Sequence, residues 1–153
     1  MLQSGGDNTA KTVQRGEDQI AFIEQIGSGN VGGGGFANGA EIDKGDDTGR
    51  LHNASITQGG GGNTAFTRQR GLDQGSIVSQ SGEGNLSDVD QAGQFNTANV
   101  TQTGEGNSSF IDQSGSTNMA NVFQYSSGNT STVTQMGTNS SATVTQGTMG
   151  GAN

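Results

Sequence analysis

The chain has 153 residues, 29 of them glycine and none proline or cysteine, with 27% hydrophobic residues and a formal net charge of −8. Without cysteine there is no disulfide framework, and the acidic balance excludes a nucleic-acid-binding surface of the usual basic kind. So little apolar material falls short of a conventional globular core, and no stretch is long or apolar enough to cross a bilayer as a helix.

The predicted elements then follow one another at a fixed interval. Glutamine stands at Gln3, Gln14 and Gln25, and again at Gln58, Gln69, Gln80, Gln91, Gln102, Gln113, Gln124, Gln135 and Gln146. The spacing is eleven residues throughout, and the one gap of 33 is three periods. A short fixed period marks a repeat architecture. With each glutamine as position zero, position −2 is valine or isoleucine, with Thr12 and Thr67 as polar variants. Position −4 is always alanine or serine. Position −6 is mostly asparagine, at Asn8, Asn63, Asn85, Asn96, Asn107, Asn118 and Asn129, with Gln19 and Gln74 as longer relatives. Position +2 is glycine at Gly5, Gly16, Gly27, Gly60, Gly71, Gly82, Gly93, Gly104, Gly115 and Gly137.

Alternation with period two over seven residues, ending at glycine, predicts a strand and a tight turn. An eleven-residue period also suits a right-handed coiled coil, but so many glycines would each cost a helix about 1 kcal/mol. Parity puts positions −6, −4, −2 and 0 on the inner face and the charged, variable positions on the outer face. Buried amides need partners. Stacked on copies of themselves about 4.8 Å apart, the Asn and Gln columns form ladders in which each donor meets the next acceptor. A doubled period sharpens this picture. At −4, Ala98, Ala120 and Ala142 alternate with Ser87, Ser109 and Ser131. The expected fold is therefore all-β: a two-sheet β-solenoid of 11-residue strand–turn repeats, 22 residues per rung, able to stack into a cross-β fibre. About thirteen strands give six to seven rungs, a stack of about 30 Å. One repeat domain is expected over 1–153.

Residues 31–50 interrupt the pattern as a Gly/Asp-rich insertion. Asn38 to Gly45 reads as one repeat displaced by three residues, with Lys44 where glutamine should stand. Glu41, Asp43, Asp46 and Asp47 match no calcium-loop spacing and read as a solvated acidic loop rather than a Ca²⁺ site. Gly27 to Gly32 satisfies G-x-G-x-x-G literally, but no βαβ unit surrounds it. His52, the single histidine, falls in the asparagine column near a turn and reads as a corner residue. No base lies beside any serine. No catalytic, metal or cofactor site is expected, and the chain is not read as an enzyme. All six Lys and Arg lie in residues 1–70 against eight acids, whereas residues 71–153 hold six acids and no base. That asymmetry keeps the chain solvated; it could also bias head-to-tail stacking, in which case fibre growth would respond to salt.

Segments such as Gln91 to Gln102 and Gln102 to Asn107 resemble the curlin repeat, and the resemblance runs through residues 3–146, weakest over 31–50. Curlins are the subunits of curli, the secreted functional amyloid of bacterial biofilms. The resemblance implies a structural subunit that assembles head to tail into an extracellular, cell-surface fibre of the biofilm matrix, serving adhesion. It places self-assembly on the inward glutamines and asparagines, and its regular C-terminal half is closer to a major subunit than to a nucleator. Its partners would be further copies of itself, with a nucleator subunit and a secretion machinery, and no nucleic acid or membrane insertion. The repeat already runs at Gln3, so a secretion leader is expected to have been removed or never carried. Neither end shows a capping repeat, which favours polymerisation. The alternative is a monomeric β-solenoid that binds a surface, ice-binding or adhesin-like, through outward Thr132, Thr134, Thr143 and Thr145. At 22-residue spacing Phe110 and the aspartates of neighbouring rungs break that array.

Overall fold

A computed structural model describes residues 2–4, 9–14, 20–26, 39–44 and 52–147. Thirteen strands occupy them in chain order. The first four are β1 (Leu2–Ser4), β2 (Thr9–Gln14), β3 (Ile20–Ile26) and β4 (Gly39–Lys44). Then come β5 (Asn53–Gly61), β6 (Thr64–Leu72), β7 (Gly75–Glu83), β8 (Leu86–Gln94) and β9 (Thr97–Glu105). The last are β10 (Ser108–Ser116), β11 (Met119–Tyr125), β12 (Thr130–Thr138) and β13 (Ser141–Gln146). There is no helix among the described residues. Odd-numbered strands form a seven-stranded sheet and even-numbered strands a six-stranded one. Every pairing is parallel, so the chain winds as a two-walled β-solenoid, alternating walls strand by strand.

The register is the sequence period made spatial. Gln58 pairs with Gln80, Gln80 with Gln102, Gln102 with Gln124 and Gln124 with Gln146. In the other sheet Gln69, Gln91, Gln113 and Gln135 align in the same way. Each step is 22 residues, one rung. A one-residue slip would turn every inward side chain outward, so the alternation holds the register. The 33-residue gap is bridged directly, Gln25 pairing with Gln58. The displaced repeat is β4: Ala40 pairs with Ala10 and Ala65, and Lys44 with Gln14 and Gln69.

Burial alternates as the parity demands: Ala54, Ile56 and Gln58 are buried along β5, and Ala98, Val100 and Gln102 along β9, while the residues between them are not. Among the described residues the apolar part of the interior is twelve residues, including Ile56, Val78, Val89, Val100, Ile111 and Val122, backed by Ala54, Ala65, Ala98 and Ala120. Twenty polar residues are buried with them. With polar residues in the majority, hydrogen bonding has to carry what apolar area cannot.

The turns repeat as faithfully as the strands. Gly93 has φ 107°, and a Cβ there would run into the carbonyl oxygen of Gly115 one rung away. Two residues further on the chain enters the left-handed region at each turn from β5 to β13. Leaving the seven-stranded sheet, that residue is Gly62, Gly84, Gly106 or Gly128; leaving the six-stranded sheet it is Asp73, Phe95, Thr117 or Asn139, with φ of 49°, 56°, 58° and 57°. The two corners of the solenoid thus have the same backbone but different chemistry. Their amides also stack: Gly106 N donates to Glu83 O and Thr117 N to Gln94 O, at 2.9 and 2.8 Å.

Candidate functional site

The interior amide columns are the candidate site. The strands carry Gln at zero and Asn at −6 onto the inner face, and stacking at one rung brings like amides within reach. In the seven-stranded sheet Gln58 Nε2 donates to Gln80 Oε1 at 2.8 Å, Gln80 to Gln102 at 2.7 Å, Gln102 to Gln124 at 2.8 Å and Gln124 to Gln146 at 2.8 Å. In the six-stranded sheet Gln69, Gln91, Gln113 and Gln135 are linked at 3.1, 2.9 and 2.8 Å. The second N–H of each amide crosses to the opposite wall. Gln91 Nε2 donates to Gly75 O at 3.0 Å and Gln102 Nε2 to Leu86 O at 2.8 Å. That contact fixes the amide's orientation, because a flipped group would set oxygen against a carbonyl. From Gln69 to Gln124 both donors of each amide are spent, which is why glutamine rather than an apolar residue fills the column.

The asparagine columns run in the opposite sense. Asn85 Nδ2 donates back to Asn63 Oδ1 at 3.0 Å, Asn107 to Asn85 at 3.1 Å and Asn129 to Asn107 at 3.0 Å. The same oxygens accept backbone N–H groups, as Asn63 Oδ1 does from Asn85 N at 3.1 Å. The remaining N–H bonds tie the turn, Asn107 Nδ2 reaching Thr103 O and Ser126 O.

The expectation that every column ladders amide to amide is corrected in one place. The corner column His52, Gln74, Asn96, Asn118 and Ser140 is held by backbone donors instead: Asn118 N to Asn96 Oδ1 and Ser140 N to Asn118 Oδ1, both 3.0 Å. There the side-chain donors go to turn carbonyls, Asn96 Nδ2 to Ala92 O and Gly115 O and Asn118 Nδ2 to Ser114 O and Gly137 O. His52 belongs to this column and is fully buried, accepting from Gln74 N through Nδ1 at 3.4 Å.

Of the other sequence-predicted residues, Asn8, Gly16 and Gly27 lie outside the described residues, as do Asp46 and Asp47. Gln14 and Gln25 have their backbones in register, and their side chains lie outside the description. Glu41 and Asp43 stand on β4. Among the described residues no group of three or more His, Cys, Asp or Glu could hold a metal ion, and no helix is long and apolar enough to cross a membrane.

Three features escaped the sequence reading. Among the described residues Gln69 Oε1 is buried without a partner, and the residue below it in register is Lys44; the broken glutamine column was the available signal. The hydroxyls of Ser87, Ser109 and Ser131 are also buried and unbonded. On the outer face Arg68 reaches one rung up to Asp88 at 2.9 Å and Asp90 at 3.4 Å, and Arg70 to Asp90 at 2.8 Å. These pairs are exposed and contribute little to stability.

Compared with known families, residues 77–104, 93–125 and 118–147 each match the Curlin associated repeat. Residues 77–147 are built of curlin repeats. The matches cover β7 to β13, and the register carries the same columns back through β5 and β6. No curated protein and no solved structure matches the chain. These repeats support a curli-type structural subunit, the curlin family being one of extracellular curli fibre components. The outward threonine array is interrupted as expected, Thr132 lying against Phe110 and Thr134 against Asp112.

Proposed function

We propose that this chain polymerises end to end into an extracellular cross-β fibre of a biofilm matrix, the inward Gln and Asn columns being the self-assembly ladders. One observation carries the reading: each layer of the solenoid is satisfied only by a layer like itself. Gln113 needs an acceptor at the next glutamine position, and that acceptor's own second N–H needs the next again. Among the described residues nothing stacks on β12 or β13. There Gln135 and Gln146 each have one N–H bonded to a backbone carbonyl, Met119 O and Thr130 O, and no glutamine above them in the column among the described residues. A second copy supplies the matching strands and amides, which is strand addition repeated without limit. Adhesion, a nucleator subunit and a secretion partner belong to this proposal, as does the treatment of 1–153 as one domain with 31–50 inserted. The regular columns of 52–147 favour a bulk subunit over a nucleator.

The test is assembly of the purified chain, followed by dye binding and fibre diffraction. Fibres with a meridional spacing near 4.7 Å are expected. A chain that stays monomeric for days at high concentration overturns the reading.

A further inference from the structure

The two outer walls of the solenoid differ in a way that assembly along the axis does not use. The six-stranded wall presents Arg68, Arg70, Asp88, Asp90 and Asp112 to solvent. On the seven-stranded wall, between positions −5 and +1, Glu24 is the single charge among the described side chains; Glu83 and Glu105 sit beyond, at the corner. The same wall carries Leu2, Ile20, Phe22, Ile26 and Ile77, between 45% and 60% exposed. It also bears an outer amide pair of the inner kind, Asn99 Nδ2 donating to Asn121 Oδ1 at 2.9 Å.

We infer that the seven-stranded wall is a lateral interface, and that its partner is the same wall of a second copy, so that two stacks pair face to face. The inference rests on the fibre reading above. Its argument is the cost of drying each wall and the area gained. Dehydrating the charged wall would strip five ionised groups of water, whereas the other wall loses almost none. Seven strands at about 4.8 Å by seven residues at about 3.3 Å make a face of about 800 Å², the share each partner contributes to a standard interface. In a stack the faces line up in a row, so the contacts add while the orientation cost is met once. Single copies fall at the threshold of association and paired stacks far above it. The charged wall stays wet and stops the pairing at two.

The test places lysines at Ile77→Lys and Thr101→Lys on the uncharged wall, with Ser114→Lys and Thr132→Lys on the charged wall as the control. Mass per length is measured by electron microscopy of unstained fibres, alongside elongation rate. A single stack holds about 22 residues per 4.8 Å; wild type and control are expected at twice that, and the wall variant at the single value with elongation unchanged. Raising the salt should leave wild-type pairing intact, since no charge pair makes it. Single-stack wild-type fibres, or a wall variant still paired, overturn the inference and leave the fibre reading standing. Absence of any wild-type fibre removes the fibre reading and this inference with it. A wall variant that does not elongate shows that the wall serves folding or growth, and also counts against pairing.

Discussion

Replacing Gln102 by alanine is the sharpest test of the ladders. Gln102 is fully buried in the middle of its column. It accepts from Gln80 at 2.7 Å and donates to Gln124 at 2.8 Å and to Leu86 O at 2.8 Å. Alanine removes all three bonds at once. It leaves a donor of Gln80, the oxygen of Gln124 and a backbone carbonyl facing an empty space. A buried group left unsatisfied costs about 1–3 kcal/mol. Three of them, partly relieved by water entering the gap, come to about 3–5 kcal/mol, a large part of a small domain's total stability. The comparison is Asp112→Ala, on the next strand in the opposite sheet but on the outer face and outside every ion pair described for Arg68 and Arg70. There the expected change is within about 0.5 kcal/mol. Urea unfolding of the monomer gives the two differences, and the lag before fibre growth should lengthen far more for Gln102→Ala. A loss below about 1 kcal/mol, or equal effects at the two positions, would refute the ladder account.

Gly93→Ala should prevent correct stacking at its turn, because the added methyl meets the Gly115 carbonyl; a loss of more than about 3 kcal/mol is expected in the same unfolding assay. Thr117→Gly relieves a β-branched residue held at φ 58° and should stabilise by about 1 kcal/mol. Ser109→Ala removes a buried hydroxyl without a partner and should be neutral or stabilising by up to about 1 kcal/mol, readable as an unchanged or higher denaturation midpoint. Lys44→Gln restores the column below Gln69 and should stabilise by about 1–2 kcal/mol, with hydrogen exchange slowing in β6.

Much of this architecture is legible in the sequence because a strand's period of two leaves no freedom about which residues point inward. Once glutamine, the β-branched residue, the small residue and asparagine share one parity, the inner face and the 22-residue register follow, and even the displaced β4 can be placed by its Ala40 and Lys44. Period alone could not give what depends on distances across the solenoid. The opposed senses of the Gln and Asn ladders are set by where the far wall's carbonyls lie, such as Gly75 O beside Gln91. Likewise the His52 column fails to ladder because its amide donors, as in Asn96 and Asn118, are taken by turn carbonyls, a fact of geometry rather than of pattern. The corner chemistry, glycine on one edge and Asp73, Phe95, Thr117 and Asn139 on the other, emerges only when the turns are stacked. The contrast between a charged wall and an uncharged one also needs the strands sorted into their two sheets. Local chemistry chose the repeat; the stacking of one rung on the next decided which groups are satisfied, which are left over, and which surface can be dried.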